Sequence, residues 1–390
     1  MIIGRNQILS FICLCLFLLL VSCGSDVDPV KIGGSHPTIL LSETIIDKLS
    51  LDKNFEITVY ASGIDSPRQL AEGDDKRIYV GSRKSGKIYA IRDTDDNGVI
   101  DERRLVAENL TFATGVSFYD GDLYFSEINK IWKIENISRH LKQDQSNLPK
   151  KILVTDNLPS DEWHGWKWIK HDDDGNLYVN VGAPCNVCIS EDKRHASIIR
   201  FNNQSWDYIA RGVRNSVGFD FHPISKKLFF TDNGRDWLGD DSPSCELNRV
   251  DNEGSFYGFP YKHATDVMDP EYGNLNPGFK FVDPIAPLGP HVAPTGIAFY
   301  SGNMFPKEYS NNLFITLHGS WNRSKKSGYK VVRVKFNDTG DVISIDDFIS
   351  GWLQGEKVLG RPAAVLAAKD GSIIISDDYA NLLYKVSYKK

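Results

Sequence analysis

Gly371-Ser372-Ile373-Ile374-Ile375, followed by Leu382-Leu383-Tyr384-Lys385-Val386, is the stretch that decides the fold. A turn residue opens it, an apolar strand follows, and a second alternating strand returns after a short loop. The same unit occurs five times upstream. Arg77-Ile78-Tyr79-Val80 precedes Lys87-Ile88-Tyr89-Ala90-Ile91, and Gly121-Asp122-Leu123-Tyr124-Phe125 precedes Lys130-Ile131-Trp132-Lys133-Ile134. Gly175-Asn176-Leu177-Tyr178-Val179 precedes Ser197-Ile198-Ile199-Arg200-Phe201, and Lys227-Leu228-Phe229-Phe230 precedes Glu246-Leu247-Asn248-Arg249-Val250. Asn312-Leu313-Phe314-Ile315 precedes Tyr329-Lys330-Val331-Val332-Arg333-Val334. Six copies at blade-sized spacing predict an all-β, six-bladed β-propeller. One interval, between the fourth and fifth copies, is 85 residues long, and its excess around 257–290 predicts a long loop over one face. Phe55-Glu56-Ile57-Thr58-Val59-Tyr60 is expected to close the ring by pairing in the last blade. The alternative is a solenoid, which would expose two edge strands that a closed ring hides.

The flanking sequence sets the context. Arg5 and an apolar run from Ile8 to Val21, broken by Ser10, read as a secretory leader too short to span a bilayer comfortably. It ends in Leu20-Val21-Ser22-Cys23, which resembles a bacterial lipobox. The expected order is a leader over 1–22, lipidated Cys23 with a tether over 23–50, and the propeller over 51–390, exported and lipid-anchored to a bacterial membrane. A plain secretory signal is the alternative. A net charge of −6 gives no basic footprint for nucleic acid. Cys13 and Cys15 leave with the leader, so Cys185, Cys188 and Cys245 remain beside Cys23. An oxidising compartment permits a local disulfide within Cys185-Asn186-Val187-Cys188. Haem attachment does not fit, because Ile189 follows rather than His.

A propeller names no function, so the loops must decide it. Trp163-His164-Gly165-Trp166-Lys167-Trp168 gathers three of the eight Trp beside a His. That composition suits a sugar platform with a general base, or a core-edge aromatic cluster. Arg214-Asn215, between Gly212 and Gly218, suits an anionic ligand or a surface ion pair. Thr231-Asp232-Asn233-Gly234-Arg235-Asp236, with Asp240-Asp241 beyond, suits a hard cation or a plain acidic loop. His318-Gly319-Ser320-Trp321-Asn322-Arg323 occupies the same place in its own blade, and Gly360-Arg361-Pro362 precedes the last one. His164 and Arg361 fall before a blade's apolar strand, Gly234 and His318 after one. Equivalent places in different blades surround one channel, so these residues are expected at a single central site. Separately, Asp93, Asp95, Asn97 and Asp101, with Gly98 at the sixth position, follow EF-hand spacing without its final Glu. They read as a calcium loop stiffening the connection of the first two blades, or as an acidic turn.

Taken together, these motifs resemble those of the soluble quinoprotein glucose and sorbosone dehydrogenases, and most closely the sorbosone branch. The likeness covers about residues 55–390 and also rests on Phe256-Tyr257-Gly258-Phe259-Pro260 and on 291–300. It implies pyrroloquinoline quinone and calcium as cofactors, a sugar or aldehyde substrate, and an unidentified electron acceptor. It implies His164 as the catalytic base and Arg214 with Asn215 beside the quinone's reactive carbonyl. It implies the backbone carbonyls of Gly234 and Arg235 as calcium ligands, and Glu246 with the Tyr257 carbonyl as a second, structural calcium site. Arg361, with His318 or Arg323, is implied in holding the cofactor. The chain departs from the glucose enzymes where Ala363 replaces a second Arg and where Ala113-Thr114 replaces a Gln. A non-catalytic propeller that binds a sugar or a protein is the competing function, and a lactonase-like hydrolase a further one.

Overall fold

Each repeat pair forms the middle of an antiparallel blade of four strands, to which the third blade adds Ser255–Phe256 as a parallel fifth strand. The computed structural model describes residues 44–143, 147–202 and 205–389. Cys23, the leader and the tether as far as residue 43 lie outside them. Within the described residues no helix is long and apolar enough to cross a membrane.

The repeat strands are the second and third of each blade, and an inner strand precedes each pair. The inner strands are Pro67–Glu72, Val116–Tyr119, Ile169–His171, Phe219–Phe221, Pro294–Phe299 and Pro362–Ala367. They escape a repeat search because they are short and three of them begin with Pro, which the first position of a strand tolerates. The second strands Ile78–Ser82, Leu177–Val181, Leu228–Asp232, Leu313–Leu317 and Ile373–Asp377 are buried along their whole length. Neighbouring blades cover both faces, so the apolar residues there run continuously rather than alternating. Burying a side chain such as Ile373 or Ile375 is worth roughly 1.5–3 kcal/mol each. The inner strands also approach closely: a Cβ on Gly218 would meet the Thr295 carbonyl, and one on Gly296 the Cα of Ala364.

The ring closes as expected. Phe55–Ser62 pairs antiparallel with Leu382–Tyr388 and forms the outer strand of the last blade. Phe55 sits among Phe305, Tyr309, Phe348 and Tyr388, with ring centroids 4.8–5.2 Å away. Packing begins ahead of residue 51, since Ile45 is buried and Ser50 bridges to Ser350.

Two expectations change. The 257–290 excess is not simply a loop. It carries the hairpin Lys262–His263 with Val267–Met268, and Ala286–Pro290 is the outer strand of the fourth blade. The loop of Asp93, Asp95, Asn97 and Asp101 joins Lys87–Arg92 to Glu102–Ala107 inside the first blade, and does not connect two blades. The antiparallel alternation puts it at the end of the ring opposite the motif loops. Its carboxylates accept the main-chain N–H groups of Asn97 and Gly98 (Asp93, 3.1 and 2.7 Å) and of Thr94 (Asp101, 3.1 Å), which closes the turn on itself.

Candidate active site

Because each inner strand starts, and each second strand ends, at the same end of the ring, the motif loops meet there. Beneath them the axial cavity is lined from all six blades, by Gln69, Thr114, Lys167, Val217, Thr295 and Ala363, with Arg68 alongside. Gln69 stitches this centre. Its amide oxygen accepts from Ile169 N (3.0 Å) and Val116 N (3.2 Å), and its amide nitrogen donates to Ile169 O (2.6 Å). Thr114 latches the same wall, donating to Lys167 O (2.9 Å).

His164 is held in the left-handed region (φ 53°) with its Nδ1 2.9 Å from Ala183 O. A carbonyl can only accept, so Nδ1 carries the proton and Nε2 keeps its lone pair. Burial, then the charge of Arg214, pushes this imidazole well below its usual value, so it is neutral at pH 7. A Cβ at Gly182 would strike the Cβ of His164, so only glycine lets the two segments meet. Ala183 ties base to cation, since its N–H donates to Arg214 O (2.8 Å).

Arg214 is buried and its guanidinium is clamped. Nε donates to Asn186 O (2.9 Å), Nη1 to Asn233 O (3.1 Å), and Nη2 to Asn186 Oδ1 (2.8 Å) and Asp236 Oδ2 (3.0 Å). The main-chain N–H groups of Arg214 and Asn215 both donate to Asp232 (2.8 and 2.7 Å). Asn215 Oδ1 is buried without a partner.

A second cluster faces the same channel. His318 Nε2 lies 2.7 Å from Asp378 Oδ1, and Arg68 lies 2.5 Å from its other oxygen. Burial, then Arg361, pushes His318 down to about 4. Burial works to raise Asp378, but Arg68 and His318 hold it ionised, well below the carboxylate range. Arg361 donates to His318 O (3.1 Å) and Gly319 O (2.7 Å). Arg68 Nε is buried without a partner. Burial pushes Lys167 down to about 7, and its amine donates to Gly165 O (2.6 Å).

The structure therefore brings His164, Arg214, Asn215, His318, Arg361 and the 232–236 loop together. It does not bring Arg323, whose guanidinium reaches Asp240 O (3.0 Å) and Asp241 (2.7 Å) and stitches two loops at the rim. Arg235 turns into the 257–290 insertion, pairing with Asp269 and Glu271. Only its backbone stays with Gly234. Glu246 is opposite Asp232 across the strand pair and accepts from Ala264 N (2.6 Å) and Asn248 (2.9 Å). Burial, then Asp232, pushes Glu246 up, and burial pushes Asp232 up. Tyr257 is buried nearby, its phenol donating to Arg249 O (2.8 Å). Among the described residues no three His, Cys, Asp or Glu side chains gather as a metal cage. Sequence reasoning missed Arg68, Asp378 and Asn186, and read Asp236 as part of a cation loop rather than as a partner of Arg214. Asp378 was within reach, since it leaves its second strand where His318 and Asn233 leave theirs.

A six-bladed ring with a neutral, half-buried His and a clamped Arg above its axial cavity defines a propeller with an axial site. The chain belongs to the TrAA12-like family, which it matches over residues 49–347. It is 35% identical over 363 residues to an uncharacterized protein of Borreliella burgdorferi, a match spanning 90% of this chain and 94% of that one. Its fold is similar to that of a calcium structure of the Trichoderma reesei carbohydrate-active enzyme family AA12, with TM-score 0.72 and 18% identity over 88% of this chain and 97% of that one. It is also similar to the holo pyranose dehydrogenase PQQ domain of Coprinopsis cinerea, with TM-score 0.71 and 17% identity over 87% and 97%.

Proposed function

We propose that the protein is a pyrroloquinoline quinone- and calcium-dependent dehydrogenase that oxidises a sugar hydroxyl, or a sorbosone-like hydrated aldehyde, to a lactone or acid. The observation that carries this reading is the pairing of His164 with Arg214 through Ala183, a neutral base locked beside a fixed cation. His164 Nε2 takes the substrate's hydroxyl proton, and Arg214 stabilises negative charge that develops at the reacting centre. When bound, the quinone supplies the two-electron acceptor, with calcium as its Lewis acid. The residues present fit a quinone bearing several carboxylates. Arg68 Nε and Asn215 Oδ1 are buried without partners, an unfavourable state relieved by a ligand that offers a carboxylate oxygen to the first and an N–H or O–H to the second. Arg68 stands in the same cavity wall as Ala363, where the glucose enzymes carry an Arg, so a cation from another blade makes up for that loss. His318 and Arg361 complete the set. Calcium fits the main-chain oxygens of Gly234 and Arg235, and the Glu246 site near Tyr257, where Asn248 Oδ1 is also buried and unpaired. For the loop of Asp93, Asp95, Asn97 and Asp101 calcium stays a structural proposal.

Three Trp rim the mouth: Trp163, edge-on to His164, is 41% exposed, Trp237 64% and Trp321 55%. Exposed indoles suit the apolar face of a sugar ring and favour a sugar over a short aldehyde. The test is dye reduction by protein loaded with quinone and calcium, across a panel of sugars and aldehydes. Turnover is expected on sugars, and no turnover with no cofactor binding sinks the proposal. Ala113-Thr114, where the glucose enzymes carry a Gln, favours the second reading, a binding propeller without cofactor. A quinone titration that leaves the absorbance unchanged would point to it. We further propose export with lipid at Cys23, on the motif at 20–23. Radiolabelled palmitate should enter the wild type and not Cys23→Ser.

A further inference from the structure

The second strand of the third blade ends at Val181, and the chain then runs outside any strand through Cys185, Asn186, Val187 and Cys188. The two cysteines are joined by a disulfide, as the spacing suggested. What the small ring presents is Asn186. Its carbonyl accepts from Arg214 Nε (2.9 Å), and its Oδ1 accepts from both Arg214 Nη2 (2.8 Å) and Asp236 N (2.9 Å). Its Nδ2 donates to Asp236 O (3.2 Å). Asp236 in turn receives Arg214 Nη2 (3.0 Å) and Asn322 Nδ2 (2.7 Å), so the grip extends to the loop of the fifth blade. Four bonds from one half-buried Asn therefore set the plane of a buried guanidinium and the start of the 236–241 turn.

We propose that Asn186 is the positioning residue for Arg214, and that the Cys185–Cys188 disulfide holds Asn186 in place, so that reducing it lowers activity. Both cysteines are half-buried, within reach of a small reductant. The reasoning is entropic and geometric. Segment 184–189 has no place in a sheet, and a covalent ring removes the alternative conformations that a free loop would sample. A guanidinium held by a planar fork loses its alignment when one acceptor pair swings away. In the reductive step an external dithiol gives two electrons and two protons. The Sγ–Sγ bond breaks, Cys185 and Cys188 become thiols, and the dithiol closes to its own disulfide.

The proposal rests on the dehydrogenase reading for its kinetic arm only. Cofactor-free wild type is reduced with dithiothreitol, alkylated and desalted before quinone loading, so that no thiol meets the quinone. It is compared with Asn186→Ala, Asn186→Asp and the double variant Cys185→Ser/Cys188→Ser. For the reduced protein, the double Ser variant and Asn186→Ala, kcat is expected to fall by about 10–10²-fold with KM changed less than about threefold. Asn186→Asp keeps both acceptors for Arg214 and is expected to recover most of kcat. Hydrogen exchange of the cofactor-free proteins should rise at the amides of 212–215 and 236, and not in the blade strands. Unchanged kcat in an active enzyme, or unchanged exchange at those amides, overturns the proposal. If the wild type turns over no sugar, the dehydrogenase reading fails and the exchange pattern alone decides the clamp.

Discussion

At the residue scale, the protonation state of His164 is the most consequential feature. Its Nδ1–H is spent on Ala183 O, and burial beside Arg214 keeps the ring neutral. The unprotonated form is present above its lowered value. The rate constant kcat/KM is therefore expected to stay level through neutrality and to fall only well below pH 6.5, the usual imidazole value. A pH–rate profile on the best sugar checks this when it is run on Lys167→Met as well, since that cavity amine is pushed down to about 7, and an acid limb at or above 6.5 that survives in the variant contradicts it. His164→Ala should lose about 10²–10⁴-fold in rate, the usual worth of a general base. Glu246 makes a second case. Its carboxyl is raised in the fold, so its contribution to stability is fully present below the unfolded value of about 4 and is lost as pH rises through the raised one. In chelator, the wild type should lose melting temperature with rising pH more steeply than Glu246→Gln. Calcium at pH 8 should raise the wild type by more than it raises the variant, which keeps the proposed sites at Gly234–Arg235 and in the loop of Asp93. Equal pH slopes, or equal calcium responses, would remove Glu246 from the metal reading.

At the scale of the element, the inner strands matter most, and they are held by side chains as well as by ladders. Gln69 reaches from the first blade to main-chain groups of the second and third. Gln69→Ala leaves buried N–H groups of Ile169 and Val116 unpaired, at about 1–3 kcal/mol each. Thermal unfolding should show a fall of several degrees, while Gln69→Glu, which keeps the acceptor, should lose less. These inner strands were the least legible elements of the sequence. Phe219–Phe221 spans three residues, and Pro362–Ala367 begins at a Pro, so neither displays a period. Their identity comes from pairing with a second strand already recognised. The second and third strands were legible because Ile, Val, Tyr and Phe recur there behind a Gly or Asn turn.

For the whole molecule, closure is the governing feature. Phe55–Ser62 comes from one end of the propeller sequence and completes a blade made from the other end. Phe55→Ala should cost about 3–5 kcal/mol through the aromatic cluster it anchors. A chain begun at residue 63 should expose the edge of Leu382–Tyr388 and self-associate. Light scattering with chemical denaturation of both proteins tests the point, and a monomeric, fully stable shortened chain would contradict it.

Residue chemistry and turn signals along the chain were enough to determine a six-fold repeat, its closing strand, and the loops carrying His164, Arg214, His318 and Arg361. These are local properties, written in alternation, punctuation and motif. The tertiary structure alone decided which groups meet. Arg68 faces His318 and Asp378 across blades at opposite ends of the sequence, Asn186 grips Arg214, and Arg323 turns away to the rim. The physical reason is that a closed ring makes neighbours of residues about 300 positions apart, as Ser66 and Asn381 are. Protonation and alignment at the channel follow from burial and from those distant partners, and neither is encoded in any single stretch of sequence.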